Sequence, residues 1–526
     1  MKKLERRQRQ IEYALLAAVF FILCFFLYRY TVYTLDSDAA SELVLAKTLH
    51  EEGKLLTKSW YYGSELRVFY SQLLFAPLFS LTGDWSMVRM VGTLLMLLAL
   101  LGSFSLFCRA ANCKAAFPLA AALMLLPLSR IYLDVLYKFS YYLPHAIMGF
   151  LIPALLVFYG KRQDRGRWAY GLPALAMLLS FAVGLNGLRL LLTVQVPLAL
   201  AAALLFRLGE RDQQGKRLLA GSGLALAAAL AGCGINAGLL ARKYAVLDVA
   251  GIHFKRFSLS GVEQVLGGLM EALGYRTEAG IFSPALLYCT LGGLLLVLSF
   301  YASFYILRRR QAYQRGAQFA AAYNLAALAL LCLLYCFTDM SFTGRYLVQS
   351  AVLSLPPVII CFQNKARFGK AGQTLLLGLM CFALVCSALH YNEMRKEDKT
   401  RGQRECAAFL AEQGYTQGYA SFWNGNVLSE LSDGALELWV WDEQLNRVEQ
   451  PGDINRFLQL RAHENPPEGR LFVLLSANEN YYCWFTKNFS QENIVFKTSN
   501  YSPQAIDEYL IYGFDSYDAL AAQFGS

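Results

Sequence analysis

The chain has 526 residues, 56% of them apolar and only 16% charged, with a formal net charge of +10. Soluble globular chains carry about 25% charged residues, so a string of ordinary water-soluble domains is excluded, and the repeated apolar runs of roughly 18 to 25 residues match a bilayer-crossing helix. The positive excess does not mark a nucleic-acid binder. It is gathered in short loops between apolar runs (CRAANCK, GKRQDRGRW, RLGERDQQGKR, RRRQAYQR, NKARFGK), as Lys and Arg are on the cytoplasmic side of a membrane protein.

From the N-terminus, the basic stretch MKKLERRQRQ leads into an apolar segment, Ile11 to Tyr30, that is too long for a signal core and has no small-x-small site after it. It is expected to be a retained first crossing. Further crossings are predicted over 86–108, 115–133, 142–160, 168–186, 188–206, 217–239, 284–307, 317–337, 346–363 and 371–390, eleven in all. With the N-terminus inside, every basic loop falls on its side, and the polar tail falls outside. The expected fold is an all-α polytopic membrane domain over 1–393 and a small extracytoplasmic α/β domain over 394–526.

The longer loops then lie on the outer face: 31–85, 240–283 and the turn TDMSFTGRY at 338–346. The segment Ser71 to Leu81 is apolar but too short to span, and reads as interfacial or re-entrant. In the tail, RGQRECAAFLAEQGY has helix periodicity ending at Gly414, while GYASFW, ALELWVW, RLFVLLS and YLIYGF read as strands. Alternating helices and apolar strands suggest a small α/β unit. Ten of the twelve cysteines sit in or beside apolar runs as small hydrophobes. Cys406 and Cys483 fall in the tail, where an outside location would permit a disulfide.

The first outer loop opens on LDSDAASELVLAKTLHEEGKL. Leu43, Ala46 and Leu49 recur at helix spacing and Gly53 supplies a stop, which puts Asp38 where an N-cap would sit. Two compatible readings follow: a cap that satisfies backbone N–H groups, or a rigidly aimed carboxylate acting as general base.

A basic N-terminus, one span, Asp-x-Asp ahead of an amphipathic helix, and then WYYGSELRVFYSQLLFAPLFSLTGDWSMVRMVGTLL resemble the C-type membrane glycosyltransferases, in particular the branch of protein O-mannosyltransferases and lipid A aminoarabinose transferases. The likeness covers roughly residues 1–390. It implies a many-helix membrane fold, a polyprenyl-phosphate-linked sugar donor, and catalytic acids in the first outer loop. DAASELVLAKTL places Asp38 on the catalytic position, with Asp36 and Glu42 as the other acidic candidates. In that branch the Asp is commonly followed by Glu; here Ala39 follows, which weakens any metal-binding or second-acid role.

The resemblance also implies that Arg345 and Tyr346, in TGRYLVQSAVLSLPP, contact the donor phosphate; forked guanidinium donors suit phosphate oxygens. The competing reading is an interfacial anchor. SRIYLDVLYKFSYYLPHA offers Lys138 for a lipid phosphate and His145 as a further binding residue, although a lone His near a membrane face is more often structural. GLNGLR supplies Asn186, of a type that tight turns favour, and Arg189, either snorkelling or binding an anion. The cluster Arg242, Lys243, His253, Lys255 and Arg256 has two readings, contact with lipid phosphates or an ordinary solvated face, and the solvated face is preferred. The Asn-x-Ser matches at Asn488 and Asn500 are taken as chance.

No Walker loop, zinc-spaced Cys/His set or dinucleotide fingerprint is present, and a divalent cation is the one cofactor the carboxylates would suit. The sequence therefore points to a glycosyltransferase in a bacterial-type plasma membrane, with the N-terminus cytoplasmic and the tail outside. Its partners would be the lipid-linked donor, membrane lipids, and a lipid, glycan or protein acceptor. The rivals are a lipid or polysaccharide transporter or flippase, whose polar groups would line a mid-bilayer path, and a non-catalytic envelope assembly protein.

Overall fold

The computed structural model describes the chain except residues 1, 139, 162–170, 210, 248–252, 278–279, 281, 341, 442–453, 480, 499–507 and 525–526; Asn500 thus lies outside the described residues. Each of the eleven predicted segments falls mainly in helix over its described residues, one of them interrupted. Among those residues, nine helices are long and apolar enough to cross a membrane, ten if one bent pair is a single span.

That pair is the predicted helix 115–133, which breaks into Lys114–Leu125 and Arg130–Lys138, bent by 105°. Leu126 is extended, with ψ 140°, because the proline at 127 disfavours helical geometry in the residue before it. Ser129 then caps the second piece, accepting from the Tyr132 N–H at 3.0 Å. The helix Gly171–Gly184 has only 14 residues and packs on Gln213–Ile235 through glycines. A Cβ on Gly184 would overlap the Ala229 carbonyl oxygen, so only a bare Cα permits this approach.

The two ends of the bundle differ as the charge pattern predicts. At one end three of the basic loops meet, Arg315 pairing with Asp212 at 2.7 Å and Asn364 donating to the Ala312 carbonyl; GKRQDRGRW lies mostly outside the described residues. At the other, strand β1 (Tyr61–Tyr62) pairs in parallel with β2 (Ala245–Val246). Trp60 bridges to Leu460 there, and Phe254 to Thr338. The first loop, the second loop, the 338–346 turn and the tail therefore converge on one face.

The first loop carries the helix Ser37–Glu52, closed by Gly53 in the left-handed region at φ 64°. Its N-cap is Asp36 and not Asp38: Asp36 Oδ1 accepts from the Ala39 N–H at 3.1 Å. The 71–81 segment forms the short helix Gln72–Leu78, with Phe75 buried against Gly92 of the next span.

Beyond Lys396 the tail forms β3 (Gln417–Ala420), β4 (Glu437–Val440), β5 (Leu471–Ser476), β6 (Ile494–Lys497) and β7 (Tyr509–Phe514), in the order β4-β3-β5-β7-β6. The β3 strand is parallel to β4 and β5; β7 is antiparallel to β5 and β6. LFVLLS is buried along its whole length, as expected of a central strand covered on both faces. GYASFW is strand only to Ala420; Ser421 turns the chain into the helix Phe422–Leu431. Strand β6 has no counterpart in the sequence reading. Cys406 is buried, Cys483 exposed, and both are free thiols.

Candidate active site

Residues three, four and seven apart share one helix face. Asp38, Ser41, Glu42 and Leu45 accordingly look together into an open cleft of about 890 Å³, including its solvent-open part. The opposite wall brings Glu65, Arg67 and Tyr70 from the first loop, Tyr141 and Tyr142, Arg189, and the pair Arg345–Tyr346; Phe457 and Leu458 of the tail close the outer side. Below it lies a second cavity of about 480 Å³, lined mainly by apolar side chains such as Leu100, Val135, Leu143, Val348 and Val352. The two share Tyr142, Arg189, Arg345 and Tyr346. A carboxylate-bearing outer chamber thus meets an apolar inner chamber at two guanidinium groups.

Arg345 Nη1 donates to Asp38 Oδ2 at 2.9 Å, an interaction that is partly buried on both sides. Glu42 sits one turn on, accepting from the Ser71 hydroxyl and, at 3.3 Å, from the Ser140 hydroxyl. Burial pushes its carboxyl up to about 7, against the lowering influence of Arg89, Ser71 and Arg67. Arg189 lies 3.5 Å from Glu65 and over the Tyr346 ring, 4.4 Å from its centroid. Arg67 sits over Tyr70 at 4.8 Å and 3.4 Å from Glu65. His145 is buried on the inner chamber wall, its Nδ1 at 3.1 Å from the Tyr70 hydroxyl.

Asp36 and Lys138 line neither chamber. Lys138 is buried, 2.8 Å from Asp36 and 3.4 Å from Asp134, and Asp134 in turn accepts from the Tyr30 hydroxyl at 2.7 Å. The lysine expected at a lipid phosphate instead ties the start of the loop helix to the Arg130–Lys138 segment.

Several residues that hold the site together have no part in the site as read from the sequence, which gives Asn186 only a place in a tight turn. Asn186 Oδ1 accepts from the N–H groups of Val68 and Phe69 at 2.9 and 2.8 Å, and its Nδ2 donates to the Phe69 carbonyl at 2.9 Å. This turn asparagine clamps the strand of loop that presents Arg67 and Tyr70. Arg89 is fully buried, donates to Glu430 of the tail at 2.5 and 2.6 Å, and donates to the Ala39 carbonyl at 2.7 Å. Asn426 of the tail links Ser41 Oγ at 2.7 Å to the Leu458 carbonyl at 3.0 Å. The sequence does carry one signal for Arg89: an ionisable residue inside an apolar run has a partner or a function.

The site does not fit a divalent cation. Asp36 and Asp38 are held by different cations, Glu42 by two hydroxyls, and among the described residues no three His, Cys, Asp or Glu side chains converge. Metal binding by hard cations needs several converging oxygens, so no step is routed through a metal.

No family model matches the chain, and no curated protein matches it in sequence. Similar solved structures are those of the oligosaccharyltransferase of Archaeoglobus fulgidus. Its complex with Zn and sulfate has 12% identity and a TM-score of 0.46, covering 86% of this chain and 67% of that one. The complex of the enzyme, AglB, with an inhibitory peptide and a dolichol-phosphate has 11% identity and a TM-score of 0.48, covering 87% and 69%. The apo form gives 10% and 0.47, covering 88% and 69%.

Proposed function

We propose that this chain is a C-type membrane glycosyltransferase that moves a sugar from a polyprenyl-phosphate-linked donor to an acceptor arriving at the extracytoplasmic face of a bacterial-type plasma membrane. One observation carries the reading: the apolar chamber, the guanidinium pair and the carboxylate-lined chamber follow one another in space. The donor is an amphiphile with the same order of parts, namely hydrocarbon chain, phosphate and sugar. The cleft's carboxylates and arginines lie together at the outer-loop end of the bundle, which favours a surface-facing enzyme over a transporter, whose polar groups would continue through mid-bilayer.

In this reading the donor phosphate lies at Arg345 and Arg189, beside Tyr346, and the sugar enters the outer chamber. The acceptor hydroxyl or amine gives its proton to Asp38 as its oxygen or nitrogen bonds to the anomeric carbon. The anomeric C–O bond breaks, and its electron pair leaves on the lipid phosphate. That leaving group is already anionic, so fixed cationic donors stabilise the charge that develops on it, and no second carboxylic acid is needed to protonate it, unlike glycoside hydrolysis. Arg345 serves both partners, orienting the base and facing the phosphate. Lys138 acts through Asp36, as a positioning residue for the loop helix, and His145 supports the inner wall through Tyr70.

The test is incubation of purified protein with a panel of radiolabelled polyprenyl-phosphate sugars, scoring donor consumption. At least one donor should be consumed by the wild type and bound but not consumed by Asp38→Asn. Consumption at the wild-type rate by that variant would remove Asp38 as the base, and failure of every donor to bind would remove the function.

A further inference from the structure

The second outer loop, whose basic residues read as a solvated face in sequence, carries a different surface in the structure. Residues 253–258 run as a strap along the last turn of the span Arg315–Phe337. The Lys255 N–H donates to the Phe337 carbonyl at 2.8 Å, and the Ser258 N–H to the Cys336 carbonyl at 3.0 Å. His253 and Asp339 fasten its start, the His253 N–H donating to Asp339 Oδ1 at 2.7 Å. Pinned in this way, the strap turns its large apolar side chains outward: Phe254 is 91% exposed, Phe257 57% and Leu259 66%. Between the two phenylalanines stand Lys255 and Arg256, both exposed.

Two features identify what covers this ridge. Phe257 packs on Phe337, ring centroids 5.3 Å apart, and Phe337 and Leu333 are themselves exposed on the flank of the span. The ridge therefore continues the lipid-facing side of a membrane helix past its end. Aromatic and basic side chains together suit the boundary layer of a bilayer, the rings at headgroup depth and the cations at lipid phosphates. We propose that residues 254–259 are a membrane-docking strap: the aromatic pair inserts into the leaflet at the chamber end of the bundle, and Lys255 and Arg256 bind the phosphates of anionic phospholipids there. This proposal is independent of the reaction assigned above.

The experiment places Phe257→Trp in nanodiscs containing either brominated phosphatidylglycerol or brominated phosphatidylcholine, subtracting the emission of the seven native tryptophans measured on the parent protein. The added emission should be quenched in both discs, and more strongly by the anionic lipid. Adding Lys255→Glu and Arg256→Glu should abolish that excess without lowering the thermal unfolding temperature. A water-like, unquenched emission would give the ridge to solvent or a protein partner and overturn the proposal. So would equal quenching by the two lipids, or an anionic excess that survives the charge reversal.

Discussion

Replacing Glu42 by Gln should change how the protein's stability depends on pH. Burial pushes the folded-state Glu42 carboxyl up to about 7, from an ordinary value of 4.5 that the unfolded chain retains. Between those values the folded state binds more protons than the unfolded state, so stability falls as pH rises through that window. The gap of roughly 2.5, at about 1.4 kcal/mol per unit, amounts to about 3 kcal/mol, fully expressed above pH 7 and absent below pH 4.5. The substituted amide could still meet the Ser71 and Ser140 hydroxyls, but it has no proton to lose. Thermal unfolding of the purified wild type and Glu42→Gln in detergent, followed from about pH 5 to about pH 8, should show a stability difference that grows with pH in favour of the variant. Parallel pH profiles for the two proteins would refute the burial argument for Glu42.

Other perturbations follow from the same geometry. Arg89→Met or Glu430→Leu alone leaves a buried charge without its partner and should cost about 3–5 kcal/mol in thermal unfolding, whereas the double variant should recover much of it; additive losses would show the pair is not coupled. Arg345→Lys replaces a forked donor by a point charge and should weaken polyprenyl-phosphate binding by about 2 kcal/mol, or roughly thirtyfold, in a direct binding assay. Lys138→Met should lower kcat while leaving donor affinity near wild type, since Lys138 touches Asp36 and neither chamber. Gly184→Ala should destabilise the fold sharply because its Cβ meets the Ala229 carbonyl, while Gly223→Ala, with nothing within 4 Å, should be tolerated; a comparison of their unfolding temperatures decides it.

Much of the site was legible from local pattern. Asp38, Glu42, Arg189, Arg345 and Tyr346 all line the outer chamber, because acids at a loop-helix start and arginines at span ends have their depth fixed by the hydrophobic run beside them. The cap was misplaced by two residues: in Asp-Ser-Asp both carboxylates suit an N-cap, and the periodicity that follows does not choose between them. The sequence does not reveal that Lys138 pairs with Asp36 and Asp134 away from both chambers, because those partners belong to separate segments whose meeting depends on the bend after the proline at 127.

The sequence by itself determined the helical segments, the grouping of basic loops at one end, and an α/β tail at the other. Apolar length, charge asymmetry and periodicity are properties of a stretch of chain, and they act through the solvent around that stretch. Only the tertiary structure decided which charges meet: Asp38 with Arg345, Arg89 with Glu430, and Asn186 with the 68–69 backbone. Those partners are far apart in sequence, and a buried polar group accepts whichever counterpart the packing of helices brings within hydrogen-bond reach.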